Sequence, residues 1–282
     1  MLPYLALTAR IMLLGYERIA VKELGKSRSG QGTNFVLFFT AVFFFIPFLF
    51  HVEWPQDLWV YAKIFVCAII YSITFTLYVK SLTDGEVSLV GPLYNFNVFF
   101  LLGISVIFLG ESFTFNKVFG LILMIYGSSW LNRQGNFFLS IKAIFNNRPC
   151  QLMILFSLLL SVGRVADKIL IKEINPVVYG FVLYSQISII LYFYNFFTGR
   201  KKLQFALLIE KPFISLIAGA INTYSYIFLL YAIKTIEISV AEPANMLSMV
   251  ISVILARVLY KEKIKERAVG ILIMIIGAFF LL

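Results

Sequence analysis

Two short stretches place charges where an apolar helix would be expected to carry none. "GYERIAVKEL", residues 15–24, follows the apolar run "LALTARIMLL", which already holds Arg10. Arg18 and Lys22 are four residues apart, on one face of a helix, and Glu17 stands beside Arg18. "GRVADKILIK" at 163–172 repeats that spacing with Arg164 and Lys168, and Asp167 lies one turn from Arg164. Glu242, directly before Pro243, is a further anion inside an apolar run. Guanidinium groups suit planar, bidentate recognition of a carboxylate or phosphate, and Glu17, Asp167 or Glu242 could bind an amine or a proton. An ion at the centre of a membrane helix costs from about 2.5 to well above 10 kcal/mol, so such groups face the bundle interior or water. Two readings stand side by side. The charges hold a substrate, or they are internal ion pairs and groups snorkelling from helix ends, which Lys22 and Lys168 suit best. Tyr71, Tyr94, Asn95, Asn97, Asn222, Tyr224 and Asn245 either complete a polar cavity or join helices by hydrogen bonds.

The elements that must position these residues follow from composition. The chain is 61% hydrophobic and 13% charged with a mean hydropathy of +0.91, far from the soluble average. Apolar runs of roughly 18 to 24 residues are long enough to cross a hydrocarbon core as helices. The pattern predicts an all-α polytopic membrane protein with helices over 3–24, 33–50, 58–81, 86–109, 116–132, 150–172, 176–198, 210–233, 238–260 and 267–282. The net charge of +10 does not point to nucleic acid, because Lys and Arg collect in short loops between apolar runs. Cys67 and Cys150 form neither a disulfide framework nor a metal spacing. The single histidine, His51, falls in a loop beside Glu53, so no span holds the Ser/His set of an intramembrane enzyme. No phosphate-binding loop is present, so direct ATP drive is not expected, nor is any cofactor or metal. The start of the chain lacks a basic leader and a small-residue cleavage site, so the first helix is expected to stay.

The chain repeats itself. "RIAVK" at 18–22 matches "RVADK" at 164–168, and "FVLFF" at 35–39 matches "FVLYS" at 181–185. "GEVSLVGP" at 85–92 matches "IEISVAEP" at 236–243; then come Glu111 or Glu262, and then "GLILMIYG" at 120–127 or "GILIMIIG" at 270–277. The order is the same in both halves, which divides the chain into five helices over 1–132, an interfacial linker at 133–149, and five helices over 150–282. An odd number of spans per half gives the halves opposite orientation, the architecture of secondary transporters, with the substrate site near the midplane. Gly120 and Gly127, like Gly270 and Gly277, share one helix face and are expected to serve close packing. Pro92 and Pro243 each remove a backbone hydrogen bond inside a span. Each is either a structural kink or a kink that opens the cavity or moves during transport.

These duplicated marks ("AVK" 20–22 and "ADK" 166–168, "SLVGP" 88–92 and "SVAEP" 239–243, "LGE" 109–111 and "YKE" 260–262) resemble the drug/metabolite transporter superfamily, and within it the EamA-like permeases. Lys261 departs from the glycine of the "GE" mark. The resemblance implies a secondary transporter, not an enzyme, which moves a small polar metabolite by alternating access in a prokaryotic inner membrane. By analogy that metabolite is an amino acid or similar zwitterion, and the direction is export. An anionic substrate, such as a phosphorylated sugar or lipid-linked intermediate, is the alternative. Small multidrug-type relatives use a lone acid in the first helix; here Arg18 flanks Glu17, which disfavours a pure cation exporter. The partners are the substrate and the lipid bilayer, with proton or ion coupling open, and the protein is a monomer or a homodimer. Orientation is contested. Of the 24 Lys and Arg, 16 fall in loops after odd-numbered helices and four on the other side, which places both termini outside. The resemblance implies both inside.

Overall fold

In a bilayer an apolar run becomes a helix because each backbone N–H and C=O must be paired within its own segment. The computed structural model describes residues 1–25, 32–85, 91–132, 146–199, 201–260 and 268–281, and among them all regular structure is helical. Glu86 to Val90 at the start of the expected fourth helix, residues 133–145 of the linker, and Lys261, Glu262 and Arg267 lie outside the described residues.

The described α-helices are α1 Leu2–Gly25, α2 Thr33–Phe45, α3 Leu58–Asp84, α4 Phe96–Leu109, α5 Phe115–Asn132, α6 Arg148–Leu170, α7 Pro176–Phe197, α8 Lys201–Glu210, α9 Pro212–Ile233, α10 Ile238–Ala244, α11 Ser248–Tyr260 and α12 Ala268–Leu281. Tighter 3₁₀ turns cover Ile46–His51, Gly91–Asn95 and Asn245–Leu247. Among the described residues, six helices are long and apolar enough to cross a membrane: Thr33–Phe50, Leu58–Leu82, Arg148–Leu170, Pro176–Phe197, Pro212–Ile233 and Ile238–Leu255. Leu93–Leu109, Phe115–Ser128 and Val269–Leu281 are shorter apolar helices. α1 is 24 residues long but carries Arg10, Glu17, Arg18, Lys22 and Glu23.

Three local outcomes depart from the expected spans. Of the helix expected over 86–109, the described part opens with the 3₁₀ turn Gly91–Asn95, which contains Pro92, and is α-helical from Phe96. The helix expected over 238–260 contains Pro243 and slips into 3₁₀ geometry at Asn245–Leu247 before resuming. A ring without an N–H removes one rung, and the backbone tightens locally to 3₁₀; both halves do this beside the matching proline. α8 occupies a stretch expected to be a loop. Its sequence "KKLQFALLIE" is rich in helix formers, and Gln204 and Leu207, three apart, are fully buried.

The chain forms two compact units, Met1–Ser72 with Asp167–Thr235, and Ile73–Ala166 with Ile236–Leu282. The division falls inside α3 and inside α6, so each unit takes elements from both sequence halves. In the first unit α1 packs on α9, and α2 packs on both α9 and α7. Hydroxyls tie these helices together: Thr40 donates to the Ser215 carbonyl at 3.1 Å and Thr223 to the Ala41 carbonyl at 2.7 Å.

In the second unit α5 packs along α12. A Cβ on Gly120 would stand 2.7 Å from the Gly277 carbonyl oxygen, and one on Gly277 would stand 2.9 Å from that of Gly120. A Cβ on Gly127 would meet the Gly270 oxygen at 2.8 Å. The pairing is antiparallel and reciprocal, the relation a two-fold axis imposes on equivalent elements. Glycine therefore serves packing here, as the spacing predicts.

Candidate functional site

Charge and helix breaks meet in the second unit. Glu242 sits on α10 one residue before Pro243, and Arg164 sits on α6. Arg164 Nε lies 2.5 Å from Glu242 Oε1, with side chains only 12% and 9% exposed. Asn245, one helical turn on, donates from Nδ2 to Glu242 Oε2 at 3.2 Å. Two opposite charges are thus held against each other within apolar spans, where Coulomb attraction is strong because water is scarce.

The stretch that follows Pro92 is held by α6. Ser157 donates to the carbonyls of Leu93 and Tyr94 at 3.1 and 3.3 Å, and Ser161 donates to the Asn97 carbonyl at 2.7 Å. These bonds set the Leu93–Asn97 backbone against the α6 face that carries Ser157, Ser161 and, one turn on, Arg164. Asn95 donates to Ser128 Oγ at 2.8 Å, and the Tyr94 ring packs on Tyr78 and Phe156, with centroids 5.9 and 5.4 Å away. The side chain of Pro92 lies outside what is described.

In the first unit, Asp167 is fully buried. Its two oxygens accept from the Tyr71 hydroxyl at 2.6 Å and the Tyr179 hydroxyl at 2.5 Å. Asn222 accepts from the Tyr184 hydroxyl at 2.9 Å, and the Tyr184 ring stacks on Tyr226 at 4.9 Å. Tyr224 points elsewhere: it is 37% exposed and edge-on to Phe48. Glu17 and Arg18 are half-buried on α1, and no side-chain hydrogen bond or ion pair of Arg18 is found among the described residues. Arg10 is buried at 5% exposure, and its guanidinium donates to Ser225 Oγ.

The candidate residues thus fall into separate groups: Arg164 with Glu242 and Asn245; Asp167 with Tyr71; Asn222 with Tyr184. The sequence reading named Tyr71 and passed over Tyr179 and Tyr184, since aromatics in a membrane protein are read first as packing. It also counted Arg10 without assigning it to the site, although an arginine inside the first apolar run is itself a signal. The duplicated arginines are not equivalent. In the match of "GEVSLVGP" to "IEISVAEP", Gly91 takes the place of Glu242, so the first half carries no acid at the position that pairs with Arg164.

Outside the spans, two acids lock the turn between α9 and α10. Glu111 accepts from the backbone N–H groups of Ile238 at 2.6 Å and Ser239 at 2.9 Å, satisfying orphan donors at a helix start. Glu237 accepts from the Ser112 N–H and hydroxyl, each at 3.2 Å, and from the Lys117 ammonium. Burial pushes the Glu237 carboxyl up, but the Lys117 ammonium and the Ser112 donors outweigh it and hold the group below its ordinary value. A depressed folded-state value contributes stability that is present above the unfolded value and is lost as pH falls through the folded one. Wild-type stability is therefore expected to fall below about pH 4, and Glu237→Gln should flatten that limb. Thermal unfolding across the acid range checks it.

The family model described as "EamA-like transporter family" matches residues 2–133 and again 148–282. No curated protein matches the chain at a significant level. A solved crystal structure of an unspecified protein is similar in fold, with a TM-score of 0.68 at 15% identity over 99% of this chain and 96% of that one. Two matches of one family model, covering nearly all residues in the order of the internal repeat, lead to one conclusion: the chain belongs to the EamA-like transporter family of the drug/metabolite transporter superfamily, whose members are membrane transporters.

Proposed function

We propose that the protein is a secondary transporter that exports a small zwitterion, an amino acid or similar compound, by alternating access through a prokaryotic cytoplasmic membrane. In this reading its ten helices form two inverted five-helix repeats, 1–132 and 150–282, joined by the linker 133–149. The observation that carries the substrate class is the Arg164–Glu242 pair, 2.5 Å apart and nearly closed to solvent. Replacing a buried ion pair by apolar residues is often neutral or stabilising, so its presence in a span calls for a use. A zwitterion can exchange with the pair: its carboxylate takes the Arg164 guanidinium and its ammonium takes Glu242, with Asn245 holding the carboxylate of Glu242 in place. When the substrate leaves, the two side chains close on each other and no bare charge remains in the span. The empty carrier can then reorient without an uncompensated ion. A purely anionic substrate would instead draw Arg164 away and leave Glu242 unpaired.

A thermal-shift comparison on the purified full chain tests this. Free amino acids are expected to raise the apparent stability, by about 2.7 kcal/mol at a hundred times the dissociation constant. The same compounds with the amine acetylated or the carboxylate amidated should not. Stabilisation by sugar phosphates, and by no zwitterion, would replace this reading with the anionic one.

A further inference from the structure

The fully buried Asp167 lies outside the pair just described and is not demanded by the repeat. Its counterpart in "RIAVK" is Val21, so one half builds the same helix with an apolar side chain there. The acid is nevertheless given two hydroxyl donors from two other helices, Tyr71 on α3 and Tyr179 on α7, at 2.6 and 2.5 Å. Loss of water works against the charged carboxylate, while hydrogen bonds donated to it work in its favour. A carboxyl held between such opposed effects can change protonation state.

We propose that Asp167 is a proton-binding site, with Tyr71 and Tyr179 as the groups that hold it and pass the proton. Uptake of one proton from the aqueous phase converts the carboxylate, an acceptor at both oxygens, into a neutral acid with one O–H donor. The tyrosine facing that oxygen must then accept instead of donate, so its hydroxyl rotates. Protonation thereby changes the hydrogen bonding among α3, α6 and α7 without moving a heavy charged side chain. Cys67 on α3 and Tyr226 on α9 face the same cluster, and Arg10 on α1 reaches Ser225, beside Tyr226. On α6 itself stand Arg164, paired with Glu242, and Lys168. The hydroxyls point their hydrogens at the carboxylate, which favours a proton over a metal cation as the ligand.

The test needs no substrate, so its failure is separate from any failure of the zwitterion reading. Full-length protein in lipid is titrated by infrared difference spectroscopy between about pH 4 and about pH 10. Acidification is expected to raise the C=O band of a neutral carboxylic acid, and this band should be missing in Asp167→Asn. Tyr71→Phe and Tyr179→Phe each remove a donor from the charged form, so each should raise the midpoint by about one pH unit, a tenfold tighter proton. These two variants decide the matter if Asp167→Asn does not fold. The proposal is overturned if the band persists in Asp167→Asn, or if neither tyrosine variant moves the midpoint. A midpoint lowered by sodium relative to choline would overturn it in a different way, by assigning the site to sodium.

Discussion

Arg164→Met is expected to destabilise the folded protein by about 3–5 kcal/mol, because it leaves the Glu242 carboxylate buried without its counter-charge. Glu242→Met should cost a similar amount by stranding the guanidinium. The double replacement Arg164→Met with Glu242→Met is expected to recover most of that loss, since two apolar side chains of similar volume fill the same space without any charge to desolvate. The two single effects should therefore not add, and the double-mutant cycle should return a coupling energy of about 2 kcal/mol or more. Unfolding of the purified protein in one detergent, followed for all four proteins, measures it. Additive effects would mean that the 2.5 Å contact carries no energetic weight.

The second large effect is expected at the α5–α12 contact. Gly277→Leu should cost about 3 kcal/mol or more, because even the first carbon of the new side chain would stand 2.9 Å from the Gly120 carbonyl oxygen and from the Met124 backbone nitrogen. Backbone cannot yield as a flexible side-chain end does, so the helices must separate, and in lipid close packing is a principal force joining them. Gly120→Leu should behave alike from the opposite side. Gly103→Leu is the control: nothing lies within 4 Å of a Cβ there, and its effect is expected within about 0.5 kcal/mol. Expression level and thermal unfolding of the three variants rank them. An equal loss in Gly103→Leu would point to a general intolerance of bulk rather than to this contact.

Much of this fold is legible in the sequence because membrane insertion leaves coarse, strong signals. Apolar runs mark helices, and Pro92 and Pro243 mark two of the places where 3₁₀ geometry appears within an expected span. The glycine pairs seven apart foretell the α5–α12 contact, since small residues are what allow backbones to meet. α8 was hidden because Lys201 and Lys202 read as loop charges while the apolar face formed by Leu207 and its neighbours is short. The site was legible by residue type but not by pairing. Arg164, Glu242 and Asn245 could be named from their cost inside a span, but which acid meets which arginine depends on packing between helices far apart in sequence. Asp167 was likewise visible as a charge, while its donors come from α3 and α7. Tyr224 illustrates a signal that local geometry does carry. It is two residues from Asn222, on the opposite side of a helix, and it is exposed where Asn222 and Tyr226 are buried.

The central claim is that the Arg164–Glu242 pair yields to a zwitterion, and uptake of a labelled amino-acid mixture by proteoliposomes tests it most directly. Wild type is expected to show saturable uptake in exchange for amino acids loaded inside. The Arg164→Met, Glu242→Met double variant, folded and of near wild-type stability, is expected to show none. Uptake by that double variant at the wild-type rate would contradict the claim and reduce the pair to a fastening between α6 and α10.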